Sequence, residues 1–196
     1  MKRTFFYLLL LTAACTTQPE EQETIPNSDS GETVYADVIP SSDTLYCTSN
    51  GEFEYGAPYA YVNKAGDTMI PAGEFDNCFS DIFTNFAYVS DERFKDHGMV
   101  AVNRNKEIIF EAYIFDNGPD YIYDGLFRIV RNGKIGYADP TGKVVVEAKY
   151  TCAYPFKNGK AKVALNCETV KDDLEHHSWK SDQWFYIDKT GKKVKQ

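Results

Sequence analysis

Residues 125–163 read GLFRIVRNGKIGYADPTGKVVVEAKYTCAYPFKNGKAKV, and this stretch decides the fold. Apolar and polar residues alternate through Leu126–Val130 and again through Lys160–Val163, the period-two signature of strands half buried in a sheet. Between the runs Ile135–Ala138 and Val144–Val146 stands Asp139-Pro140-Thr141-Gly142. An Asp at the first turn position bonds backbone amides, Pro presets its own φ, and Gly takes the positive φ from which a return strand begins. The unit is a β-hairpin.

Working outward, the same unit recurs. Residues 59–68 (YAYVNKAGDT), 99–108 (MVAVNRNKEI), 135–144 (IGYADPTGKV) and 184–193 (WFYIDKTGKK) each place a bulky residue, a short run, Asn or Asp and two loop residues in order, followed in three of the four by Gly. The second copy has Lys106 where the others have Gly66, Gly142 and Gly191, so its turn is expected to differ. The return strands also correspond, with KVVVEAKY at 143–150 matching EIIFEAY at 107–113 and, more weakly, DTMIPAGEF at 67–75. The equivalent turn positions lie 40, 36 and 49 residues apart, and the excess in the last interval places an insertion at 168–182. No amphipathic helix stands out. The reading is an all-β chain of about three to four hairpin repeats stacked into one body over 46–196, because such units bury their apolar faces against one another.

Residues 125–163 resemble the WG-repeat family, whose units run through a Gly-Leu strand, Gly-Lys-Trp-Gly-Tyr-Ile-Asp, a Gly-Lys turn and an aromatic link. Here Ile135 replaces the name-giving Trp; in the last copy Trp184 is kept and Phe185 replaces the following Gly. The resemblance covers residues 56–195 and is strongest over 125–163. It implies an all-β repeat protein of the bacterial envelope without a shared catalytic activity.

The N-terminus supplies an address. Lys2 and Arg3 precede an apolar run from Phe5 to Leu11 and the small residues Thr12-Ala13-Ala14 before Cys15. That run is far shorter than the about 20 residues needed to span a bilayer, so residues 1–14 read as a cleavable signal. Leu11–Cys15 resembles the bacterial lipobox, which implies a lipidated Cys15 and an envelope home. Thr16 in place of Asp favours the outer membrane, with its face undecided. Residues 15–45 are acidic and rich in Ser, Thr and Pro, the composition of a flexible tether, although Val34–Ile39 could dock as an edge strand. Without Lys2 and Arg3, 19 basic residues face 29 acidic ones. Nucleic acid is excluded as a partner on that balance. Cys47, Cys78, Cys152 and Cys167 allow three pairings or four free thiols, with no basis for choosing.

Chemistry is sparse. The histidines are His97, His176 and His177, and no nucleophile elbow, zinc helix or phosphate loop is present. The insertion gathers Asp172, Asp173, Glu175, His176, His177 and Trp179, and reads as a solvated loop sooner than a metal site, since adjacent histidines point apart. Asp116–Asp120 reads as a turn, not a calcium loop. Tyr59, Tyr61, Tyr137 and Tyr186 recur at equivalent positions and read as packing residues. Tyr121, Tyr123 and Trp179 are the candidate ligand contacts, and no cofactor is called for. The expected role is a non-catalytic, membrane-tethered module that binds a protein partner. The alternatives are a surface glycan as ligand, or an envelope-polymer hydrolase built on paired carboxylates from Asp172, Asp173 or Glu175.

Overall fold

The computed structural model describes residues 33–49, 58–171 and 177–195. In chain order the strands are β1 (Leu45–Ser49), β2 (Tyr59–Val62), β3 (Thr68–Ile70), β4 (Asn77–Cys78), β5 (Ile82–Phe83), β6 (Ala87–Ser90), β7 (Val100–Val102), β8 (Ile108–Ala112), β9 (Ile114–Phe115) and β10 (Gly118–Pro119). They continue as β11 (Phe127–Arg131), β12 (Lys134–Ala138), β13 (Val144–Tyr150), β14 (Cys152–Ala153), β15 (Lys160–Ala164), β16 (Glu168–Lys171), β17 (His177–Lys180), β18 (Phe185–Asp188) and β19 (Lys193–Val194). No α-helix occurs among the described residues; one 3-10 turn, Glu92–Phe94, is capped by Asp91. The all-β expectation holds.

All pairings are antiparallel. One four-stranded sheet runs β3-β2-β1-β5, a seven-stranded sheet runs β13-β12-β11-β8-β7-β6-β4, and a second four-stranded sheet runs β14-β15-β18-β19, with β9–β10 and β16–β17 as separate hairpins. The four copies read from the sequence are the hairpins β2–β3, β7–β8, β12–β13 and β18–β19. Three buried clusters follow the same order along the chain, around Tyr61 and Phe83, around Phe110 and Ile129, and around Tyr137 and Val163.

All four repeat turns make one hydrogen-bond pattern. The side-chain oxygen of Asn63, Asn103, Asp139 or Asp188 accepts from the backbone N–H groups two and four residues on, at 2.8–3.3 Å. The carbonyl of that residue also accepts from Gly66, Lys106, Gly142 or Gly191 at 2.9–3.0 Å. The second turn therefore does not differ, contrary to the expectation. Lys106 adopts φ 66° and its ammonium reaches Glu74 at 3.0 Å. The Asn side chain sets the turn, and a residue with a β-carbon enters the left-handed region at a cost of about 1–2 kcal/mol that the turn's bonds offset.

In the first three copies the strand-to-return register slips by one residue at the same place, between Tyr61 and Val62, Ala101 and Val102, and Tyr137 and Ala138. The third copy slips a second time, between Ile135 and Tyr137. Gly136 lies at that slip, where a β-carbon would stand 2.6 Å from the Val146 carbonyl and 2.7 Å from the Ala148 nitrogen. Only glycine fits so close an approach of backbone to backbone.

The docked body starts earlier than residue 46. From Thr33 to Asp43 the chain lies extended against the seven-stranded sheet, assigned to no strand. Ala36 donates to the Ile108 carbonyl at 2.8 Å, Asn103 and Arg131 donate to the carbonyls of Asp37 and Ala36, and Tyr35 donates to Glu111. Burial and that bond to Glu111 push the Tyr35 hydroxyl up to about 12. Side chains of the body thus hold a segment that also packs Ala36 and Val38 against the core. Cys15, the signal and the rest of the acidic stretch up to Glu32 lie outside the described residues.

The insertion expected to be a loop is a hairpin at its base: β16 pairs with β17 from Glu168↔Lys180 to Lys171↔His177. Asp172, Asp173, Glu175 and His176 lie outside the described residues. Cys152 and Cys167 form a disulfide, while Cys47 and Cys78 are free thiols.

Candidate functional site

The outer face of the sheet β14-β15-β18-β19 carries the site. Along β15, Ala161 and Val163 are buried while Lys160 and Lys162 point the other way. Lys162 pairs directly with Tyr186 on β18, so both project from the same face. The Lys157–Lys160 turn closes one end, and the segment Tyr154-Pro155-Phe156 supplies a wall. Together with Tyr123 and Asn158 these residues line a groove of about 700 Å³.

Rings dominate it. Tyr154 meets Trp179 edge-on at a centroid distance of 5.3 Å and Trp184 at 5.5 Å. The Lys162 ammonium lies 4.7 Å from the centre of the Trp184 ring and 5.8 Å from that of Tyr154. On the Tyr123 side the aromatics continue outward, Tyr123 to Tyr121 at 6.4 Å and Tyr121 to Phe115 at 6.0 Å. Ile114 and Ile122 are exposed beside them.

Each rim is held from below. Asp124 and Gly125 both take positive φ in the tight turn that joins Tyr123 to Leu126. The Asp124 carboxylate accepts from the Gly159 N–H at 2.5 Å and pairs with Lys189 at 3.1 Å, and these two partners hold it below the usual carboxylate range. Behind Tyr121 and Tyr123, Asp120 and Arg128 form a buried two-point ion pair at 2.7 and 2.8 Å, and Asp120 also accepts from the Arg128 backbone. Breaking such a pair costs about 3–5 kcal/mol, so the loop is firmly placed. On the opposite rim, the Cys152–Cys167 disulfide fixes the root of the hairpin that bears Trp179. Ser181 donates to the Asn166 carbonyl across the same root at 2.7 Å.

Of the ligand contacts expected from sequence, Tyr123 lines the groove, Trp179 packs on its Tyr154 wall, and Tyr121 stands next to Tyr123, 53% exposed. Tyr154, Lys162, Trp184 and Tyr186 were not singled out. A signal was present for Lys162, since Lys160 and Lys162 alternate with Ala161 and Val163. Tyr59, Tyr61 and Tyr137 are buried as expected, but Tyr186 is only half buried and belongs to the groove. No carboxylate or imidazole is among the described residues that line it.

A family profile described as WG containing repeat matches residues 135–166, so this stretch, from Ile135 of β12 through β15, is a WG-containing repeat. No curated protein and no solved structure matches the chain.

Proposed function

We propose that the protein is a non-catalytic, envelope-anchored binding module. Cys15 carries the lipid, the acidic segment after it serves as the tether, and the groove of Tyr123, Tyr154, Lys162 and Tyr186, with Trp184 packed on its Tyr154 wall, receives a segment of a partner protein. The outer membrane is the proposed home.

The observation that carries this reading is the groove's chemistry. Ring faces and three lysines converge on one open surface of a chain whose formal net charge is −8. A ligand that supplies apolar side chains and carboxylates of its own complements such a surface. The neighbouring aromatics, with exposed Ile114 and Ile122, extend the apolar area beyond what a small ligand needs. A second reading, an anionic glycan, is favoured by Tyr154, Trp179 and Trp184, because such rings stack on sugar faces.

The chain's two tryptophans, Trp179 and Trp184, both stand at the groove, so their emission reports on it. Titration with acidic, aromatic-containing peptides is expected to change that emission saturably. The response weakens as salt rises and disappears in Lys162→Glu. A response to carboxylated glycans and not to peptides selects the second reading; no response to either contradicts the site. For the anchor, Cys15→Ala is expected to release the protein from membranes, and a variant that still sediments with them refutes lipidation.

A further inference from the structure

Cys47 lies on β1, directly across from Tyr61 on β2, and Cys78 lies on β4, across from Val89 on β6. The two thiols come from different sheets yet pack side by side on one buried cluster, next to Tyr61, whose hydroxyl donates to the Ser80 carbonyl at 2.8 Å. Both are half buried against one cluster that includes Leu45, Tyr61 and Phe83. The Cys47 N–H is fixed by the Asp81 carbonyl at 2.8 Å.

We propose that Cys47 and Cys78 are the site of a second disulfide, formed by exchange with an external disulfide of the glutathione or dithiol-oxidase class, which staples the first four-stranded sheet to the seven-stranded one. Neighbouring thiols on two packed elements can reach the bonded separation of about 2.05 Å by side-chain rotation. The same body carries the Cys152–Cys167 bond, which belongs to an oxidising compartment.

The pair's mutual contact eases formation of a thiolate. The hydrogen bond from Cys78 draws the Cys47 thiol below the ordinary cysteine value against the effect of burial, while the same bond and burial push Cys78 up. One thiolate of the pair attacks the external disulfide, forming a mixed disulfide and expelling one thiolate. The other thiol gives up its proton and attacks the protein sulfur of that mixed disulfide, expelling the second. Two protein thiols lose two electrons and two protons, and one external disulfide becomes two thiols.

The test uses the full chain, folded and incubated with oxidised glutathione, then denatured in N-ethylmaleimide and mapped as non-reduced peptides. A cross-linked peptide joining Cys47 to Cys78 is expected, beside the Cys152–Cys167 peptide. In Cys78→Ser or Cys47→Ser the remaining thiol is expected to hold one glutathione instead. Against a Cys47→Ser/Cys78→Ser double variant, the oxidised protein is expected to melt roughly 5 °C higher. Recovery of both residues labelled by maleimide while Cys152–Cys167 stays linked overturns the proposal. Stable linkage of either residue to Cys152 or Cys167 in the folded protein overturns it equally.

Discussion

In the third hairpin Tyr137 is 1% exposed and its hydroxyl donates to the Tyr154 carbonyl at 2.7 Å; in the fourth, the equivalent Tyr186 is half buried and lines the groove. Ile135 is buried, whereas its counterpart Trp184 stands against Tyr154 in the open face. Both turns make the same bonds from Asp139 and Asp188. What differs is the cover. The third copy has a seven-residue return strand, and the fourth has only Lys193–Val194. A repeat assigns each residue its place on the hairpin, and the neighbouring strand decides whether that place becomes core or open surface.

The sharpest way to break this contrast is Gly136→Ala. The added methyl would meet Val146 and Ala148 backbone and should cost about 3 kcal/mol by urea unfolding. The fourth copy already carries Phe185 at the same place. Next in size, Tyr137→Phe leaves the Tyr154 carbonyl without its donor and is expected to cost about 1–2 kcal/mol. Tyr186→Phe should stay within about 0.5 kcal/mol and act on binding instead. Opposite in sign, Lys106→Gly should gain about 0.5–1 kcal/mol, because glycine enters the left-handed region without penalty while only a surface ion pair with Glu74 is lost.

The smallest effect separates Asp turns from Asn turns. Hydrogen bonds from the Thr190 hydroxyl and then the backbone N–H groups of Thr190 and Lys192 hold the Asp188 carboxyl below its usual range. A depressed carboxyl contributes stability above its unfolded value of about 3.9 and loses it as pH falls through the lower folded value. Melting temperature should therefore decline below about pH 4, and Asp188→Asn, which copies the turns at Asn63 and Asn103, should make that decline shallower.

Much of this architecture is legible in the chain. Alternation and the Asx-started turns locate all four hairpins, and the uneven spacing locates the insertion. The second turn misled because glycine was taken as the requirement, when the Asn103 side chain is. The docking of Thr33–Asp43 was only half visible, since Arg131, Arg104 and Asn103 hold it from far along the sequence. The groove was legible at Tyr123 and Trp179 but not as a whole. Its walls come from β15, β18 and the insertion, and only the sheet register brings Lys162 beside Tyr186. The Asp120–Arg128 pair that fixes the rim left no pattern in the sequence.

The central claim is that the incompletely covered fourth copy is where the protein meets its partner. Site-specific photo-crosslinking in intact cells tests it directly, with a benzophenone amino acid placed at Tyr123 or Tyr186 and, as controls, at the exposed Met69 or Ile82 of the first sheet. The account predicts a discrete crosslinked species from Tyr123 and Tyr186 that Lys162→Glu removes, and none from Met69 or Ile82. Crosslinks confined to Met69 and Ile82, or unchanged by Lys162→Glu, would contradict it.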